Sequence, residues 1–143
     1  MTDCVFCAIV AGDAVADIAA GVVWRANGVV AFLDRSPVFK GHVLVVPTAH
    51  VETLAALPLE SVGSFFLAVQ RIATVMPDAI DAHGTFVAIN NVVSQSVPHL
   101  HAHVVPRRRK DGLRGFFWPR VKYVDPVEAE SFASRLRDAL VAR

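Results

Sequence analysis

Charge is scarce in this chain. Asp, Glu, Lys and Arg together make up 19% of its 143 residues, while 54% are hydrophobic. That balance excludes a disordered chain, which has few apolar residues and a high net charge, and it predicts a substantial core. Long apolar runs are absent as well. No stretch approaches the ~18 consecutive apolar residues of a membrane span, and the N-terminus has no basic region leading into an apolar one. These absences predict a soluble, cytoplasmic protein with no membrane partner. The length suits one domain over residues 1–143, and no internal repeat or low-complexity stretch divides it.

Cysteine is nearly absent, with only Cys4 and Cys7, spaced C-x-x-C. In a cytosolic protein a structural disulfide is disfavoured, so metal binding or redox chemistry is the expectation, with two small packed apolar side chains as the plain alternative. The net charge of +1 hides an asymmetry. Residues 1–106 sum to −4, residues 107–122 to +6 and residues 123–143 to −1.

The pattern predicts an α+β fold. A short helix or turn over Cys4–Ala11 stops near Gly12-Asp13. Val22–Arg25 and Val29–Asp34 form a hairpin around Asn27-Gly28, a dipeptide suited to positive φ. His42–Pro47 reads as a buried strand. Pro58 fits the first turn of the longest helix, whose apolar positions run from Leu59 to Met76 and which Pro77 is expected to stop. Thr85–Asn90 and Leu100–Val105 are strand-like. A C-terminal helix over about 126–142 opens with Asp125 as N-cap, Pro126 and Glu128, and carries Phe132, Leu136 and Leu140 along one stripe. Antiparallel strands with helices set apart in sequence give α+β rather than alternating α/β.

Three of the six histidines fall together, His99-Leu100-His101-Ala102-His103. On a strand their imidazoles line one face at roughly 7 Å intervals. Strand faces are usually filled with Thr, Lys or Glu, so three histidines at period two point to chemistry. Either several ligate one metal, or one is a nucleophile while the others orient it and bind an anion. Asn90, Gln95 and Ser96 precede the run on the turn into the strand, with hydrogen-bonding groups suited to phosphate oxygens or a leaving group.

Residues His99–Val105 fit the pattern His-φ-His-φ-His-φ-φ, with φ hydrophobic, of the histidine-triad (HIT) nucleotide hydrolases and transferases, and here the chain resembles that family. Other pieces match in order: Cys4-Val-Phe-Cys7, Ala31-Phe-Leu-Asp34 before Ser36-Pro37, Gly41-His-Val-Leu-Val-Val-Pro47, His50, Asn90-Asn91 and Gln95-Ser96-Val97. The resemblance covers about residues 4–106. It implies a HIT-like antiparallel sheet with a central helix, and a hydrolase acting at the α-phosphate of a purine nucleoside phosphoramidate or dinucleoside polyphosphate through a covalent nucleotidyl-histidine. By the same resemblance His101 is the nucleophile, His103 and Asn90 contact the α-phosphate, Ser96 sits near the leaving group, Asp34 binds the ribose hydroxyls, and Gln95 belongs to the substrate-binding set. His42 and His99 support these groups from behind. The loop Asn90–Ser96 departs from the family: it is shorter and lacks glycine. Leu33 stands where some members carry a histidine.

The resemblance also implies a structural zinc on Cys4, Cys7, His50 and His99, with no metal needed at the reacting phosphate, and a homodimer formed through the central helix. Arg107-Arg108-Arg109-Lys110, Arg114, Arg120 and Lys122 surround Gly115-Phe116-Phe117-Trp118-Pro119. That segment reads as a surface loop, a lid over the nucleotide or a partner subunit, or a nucleic-acid contact. His83 receives no role. The rival functions are a nucleotide-binding or interaction module with little turnover and a nucleic-acid-binding protein using residues 107–122.

Overall fold

A computed structural model describes residues 3–113 and 120–142. The chain forms two compact units, residues 1–111 and 112–143. In the first, strands β1 (Val22–Ala26), β2 (Val29–Leu33), β3 (Val43–Pro47), β4 (Gly84–Ile89) and β5 (Ala102–Arg107) make one antiparallel sheet in the order β1-β2-β3-β5-β4. The hairpin turns as expected at Asn27 and Gly28, both at positive φ, +52° and +74°. Strand β5 lies between β3 and β4, with His103 opposite Leu44 on one side and Ala88 on the other.

Period-two alternation assigns the two faces. Ala31, Val43, Val45, Ala102 and Val104 face helix α3 (Leu59–Ile80), which buries Phe65, Ala68, Val69, Ile72 and Met76 against them. Val30, Phe32, Leu44 and Val46 point the other way and pack under Phe6 of the short helix α1 (Val5–Val10). By length and composition α3 could cross a membrane; here its apolar stripe is buried against the sheet.

Three expectations about boundaries change, and one helix is added. Pro58 is the extended N-cap of α3, one residue before the first turn. The helix also runs through Pro77 to Ile80 instead of stopping there. A proline costs the bond to the carbonyl four residues back, yet the buried Met76 and the Arg108 guanidinium, which donates to the Ile80 carbonyl, hold the last turn. Helix α2 (Ala14–Ala20) follows Asp13, whose Oδ1 accepts from the Val15 N–H at 3.0 Å; alanine-rich and short, it carries no apolar periodicity to announce it. The last strand begins at Ala102, so His99 and His101 precede the ladder. There the backbone bonds elsewhere, Leu100 N–H donating to the Val51 carbonyl at 2.7 Å and His99 N–H to that of Val97 at 2.8 Å.

In the second unit α4 (Pro126–Val141) is capped as expected, Asp125 Oδ1 accepting from Glu128 N–H at 2.8 Å. The Glu128 carboxylate accepts from Val124 N–H, one residue ahead of the usual capping box. Phe132, Leu136 and Leu140 stay exposed, and Arg135 lies over the Phe132 ring.

The turn into β3 sits against the end of α3. Gly41 has φ +98°, and a Cβ there would lie 2.5 Å from Ile80 Cδ1. Ile80 can turn aside, but the backbone cannot relax as easily, so Gly41→Ala should destabilise the protein by about 1–2 kcal/mol. Urea unfolding measures it; an unchanged midpoint would show that the turn adapts.

Candidate active site

The start of β3 and the entry to β5 bring His42, His101 and His103 together. His101, only 3% exposed, places Nδ1 2.7 Å from the carbonyl oxygen of His99. A carbonyl only accepts, so Nδ1 carries the proton and Nε2 keeps its lone pair. His42, also 3% exposed, accepts the Val38 N–H on Nδ1 at 3.1 Å. Its proton is therefore on Nε2, 3.0 Å from Nδ1 of His103, which must accept. The chain Val38–His42–His103 thus leaves the proton of His103 on Nε2. The His101 and His103 rings lie 5.0 Å apart, and Phe6 stands edge-on to His101 at 5.2 Å.

Burial pushes the His103 imidazole down to about 4, with His101 and His42 adding to the shift and Asp34 opposing it. His42 is lowered in turn by burial, against the pull of Asp34. Asp34 Oδ1 accepts from Ser36 N–H at 2.8 Å while Oδ2 lies 3.7 Å from His42 Nε2.

Phe6, Asp34, Ser96, His101 and His103 line a cleft of about 530 Å³ whose remaining wall is mainly apolar. Asn90 and Gln95 do not line it. Gln95 instead accepts from Val92 N–H at 2.8 Å and donates to the Glu52 carbonyl at 2.6 Å, while Asn91 Oδ1 accepts from Leu54 N–H at 2.8 Å. These bonds pin the loop in place of glycine, with Val92 at φ +68° and Ser94 at φ +59°. A left-handed non-glycine residue costs roughly 1–2 kcal/mol, which the cross-ties offset.

Behind His101 a second cluster forms. Cys4 Sγ and Cys7 Sγ each lie 3.5 Å from His99 Nδ1, and Cys7 Sγ lies 3.2 Å from His50 Nδ1. The four ligand atoms fall within 4.8 Å of one another. Zinc bonds to sulfur and nitrogen put tetrahedral edges at about 3.6 Å, so the set fits that ion. Burial keeps His99 neutral by lowering its affinity for a proton, and Nε2 donates to the Pro47 carbonyl at 2.8 Å, turning the Nδ1 lone pair towards the sulfurs. Asp34, His42 and His103 are also close enough to hold an ion, but the proton on His42 Nε2 removes that ligand.

Two side chains of the basic run are engaged. Arg107 forks onto Asp111 at 2.6 and 3.1 Å, which holds its guanidinium above the ordinary range, and Arg108 caps α3 at Ile80. Arg109 N–H donates to His83 Nδ1 at 2.9 Å, giving His83 a place in this turn. Arg114 and the segment 115–119 lie outside the described residues.

A family model, the HIT domain, matches residues 15–110. The chain belongs to the HIT family. The protein "hit" of Bacillus subtilis (strain 168) is 38% identical over 143 residues, covering 98% of this chain and 96% of its own. An adenosine 5′-monophosphoramidase of Schizosaccharomyces pombe, hnt1, is 30% identical and covers 93% of this chain and 95% of its own. A zinc-bound histidine triad family protein from Mycobacterium smegmatis superposes with a TM-score of 0.70 at 34% identity, covering 99% of this chain and 98% of that one. Two further relatives named for nucleotide hydrolysis cover less. The S. pombe bis(5′-nucleosyl)-tetraphosphatase is 32% identical over 63% of this chain and half of its own. The Arabidopsis thaliana adenylylsulfatase HINT3 is 28% identical over 78% of this chain and 55% of its own.

Around the HIT triad, sequence reading misses the groups that work through backbone atoms: the His99 and Pro47 carbonyls and the Val38 N–H, whose positions depend on tertiary packing. Phe6 was legible only as the apolar residue inside Cys4-Val-Phe-Cys7.

His103 ties this site to folding stability. Its folded pKa lies below the 6.5 of an unfolded histidine, so its neutral form favours folding fully above pH 6.5, and that contribution is lost as pH falls from 6.5 through about 4. Urea midpoints of wild type should therefore decline more steeply over that window than those of His103→Asn. Parallel slopes would contradict the assignment.

Proposed function

We propose that this HIT protein is a nucleotide hydrolase that cleaves at the α-phosphate of a purine nucleoside phosphoramidate or dinucleoside polyphosphate, with His101 as nucleophile. The observation that carries the reading is the His101 Nδ1–H bond to the His99 carbonyl, which leaves Nε2 as a free lone pair on the cleft. The relatives named as a monophosphoramidase, a tetraphosphatase and an adenylylsulfatase support nucleotide hydrolysis as the class.

In this mechanism the apolar wall takes the base, Asp34 accepts from the ribose hydroxyls and His103 Nε2–H donates to a phosphate oxygen. His101 Nε2 attacks phosphorus; the N–P bond forms as the bond from phosphorus to the leaving oxygen or nitrogen breaks, and the leaving atom takes up a proton from water past the Ser96 hydroxyl. Water then attacks phosphorus, its proton passes to solvent, and Nε2 leaves with its electron pair. Two smaller barriers replace one large one, and fixed donors stabilise the charge on the phosphate.

Replacing His101 with Gly or Asn removes the nucleophile and leaves the other contacts. We expect kcat to fall by at least ~10³, about 4 kcal/mol of barrier, while nucleotide binding persists. His103→Ala should weaken both. Rapid-quench mass spectrometry of wild type should find a nucleotidyl adduct on the peptide bearing His101; turnover without an adduct would sink the covalent step.

Zinc on Cys4, Cys7, His50 and His99 would have a structural role, tying α1 to the entry of β5. We expect about one zinc per chain in protein purified without chelator, in line with a closed four-ligand site. Cys4→Ser with Cys7→Ser should abolish it and lower the melting temperature. A stable, metal-free wild type would count against the site.

A further inference from the structure

A second cavity, of about 480 Å³, adjoins the reacting cleft. Asp3, Cys4, His50, Ser96, Val97 and Pro98 are in its wall. Val5, Ser96 and Val97 belong to both cavities, whereas Asp34, His101 and His103 line only the first. The two spaces therefore meet along Val5, Ser96 and Val97, the side of the first cavity where the proposed mechanism puts the leaving group. In-line displacement sends that group away from the attacking Nε2. With nucleoside and nucleophile in the first cavity, the second is an adjoining space among the described residues that can receive it.

The two walls differ in charge. The first contains Arg35 beside Asp34; the second contains Asp3 and neither lysine nor arginine. Zinc held by two thiolates would leave that cluster without net charge, so Asp3 sets the sign. A polyphosphate leaving group would bring several negative charges to this wall and find neither lysine nor arginine among its described residues to meet them. Arg107 and Arg108, the start of the basic run, are held by Asp111 and the Ile80 carbonyl. A leaving amine with a second, protonated amino group would gain from the same carboxylate.

We propose that this second cavity is the leaving-group subsite and that Asp3 makes it select an ammonium-bearing amine over a polyphosphate. The proposal rests on the nucleotide-hydrolase reading. In the step it concerns, the phosphorus–nitrogen bond of the amidate breaks as the bond to His101 Nε2 forms, and the departing amine takes up one proton from water past Ser96. The ammonium group at its far end does not react; it only binds.

The test compares kcat/KM, by release of AMP, for adenosine 5′-(N-4-aminobutyl)phosphoramidate, the N-butyl amidate and diadenosine tetraphosphate. Wild type should prefer the aminobutyl over the butyl amidate by ~three- to five-fold, the scale of one exposed ion pair, and added salt should shrink the preference. Asp3→Asn should erase the ratio and Asp3→Glu retain it. Equal turnover of the two amidates by wild type, a ratio untouched in Asp3→Asn, or faster cleavage of diadenosine tetraphosphate would each overturn the proposal while leaving the hydrolase reading intact. Failure to hydrolyse any of the three would overturn that reading, and the proposal with it.

Discussion

The bond from His101 Nδ1–H to the His99 carbonyl is the constraint on which the site depends. At 2.7 Å and buried, it fixes one tautomer and one ring orientation together. It works only if the His99 backbone is itself held, and His99 is held on both sides: its Nε2 donates to Pro47, the last residue of β3, and its Nδ1 faces Cys4 and Cys7. A residue with 0% exposure can supply a carbonyl whose position scarcely varies. The proposed metal site and the proposed nucleophile are thus linked through His99, whose side chain faces the first and whose carbonyl orients the second, and α1 is joined to the triad through Cys4 and Cys7.

The sheet makes that arrangement affordable in stability. Its α3 face buries a large, wholly apolar core, so the other face can carry buried imidazoles whose desolvation opposes folding at low pH. The cost is limited because every buried side-chain nitrogen and oxygen among the described residues has a hydrogen-bond partner. Neutral histidines also suit the proposed chemistry: a charged His101 would have no lone pair to offer, and a His42 protonated on both nitrogens could not accept the Val38 N–H.

Legibility followed the range of the interaction. The Asn27-Gly28 turn and the Asp125 cap are written in adjacent residues, and the structure has both, whereas of the three alternating histidines only His103 lies in the ladder and His99 turns to Cys4 and Cys7. The grouping of Cys4, Cys7, His50 and His99 spans most of the first unit, and only the family pattern connected them. Pro77 misled because local propensity marks it as a stop, whereas Met76 and Arg108 supply tertiary support that propensity ignores. Gln95 has a second set of partners that the sequence does not show. An amide before the triad suits phosphate, but in a loop without glycine the backbone needs that amide for itself, at Val92 and Glu52.

That loop shows why a missing glycine need not mean a missing function. Glycine would let the segment reach left-handed angles without strain, but it would also let the segment leave them. Here Val92 and Ser94 adopt those angles, and Val93 N–H bonds back to the Asn91 carbonyl at 2.8 Å across a three-residue turn. Asn91 and Gln95 then fasten the turn to the segment 52–54. The result is a stiff approach to Ser96, the one side chain of the loop that lines both cavities. Conformational freedom has been exchanged for side-chain bonds, and the residue placed by the exchange is the serine that the proposed mechanism sets beside the leaving group.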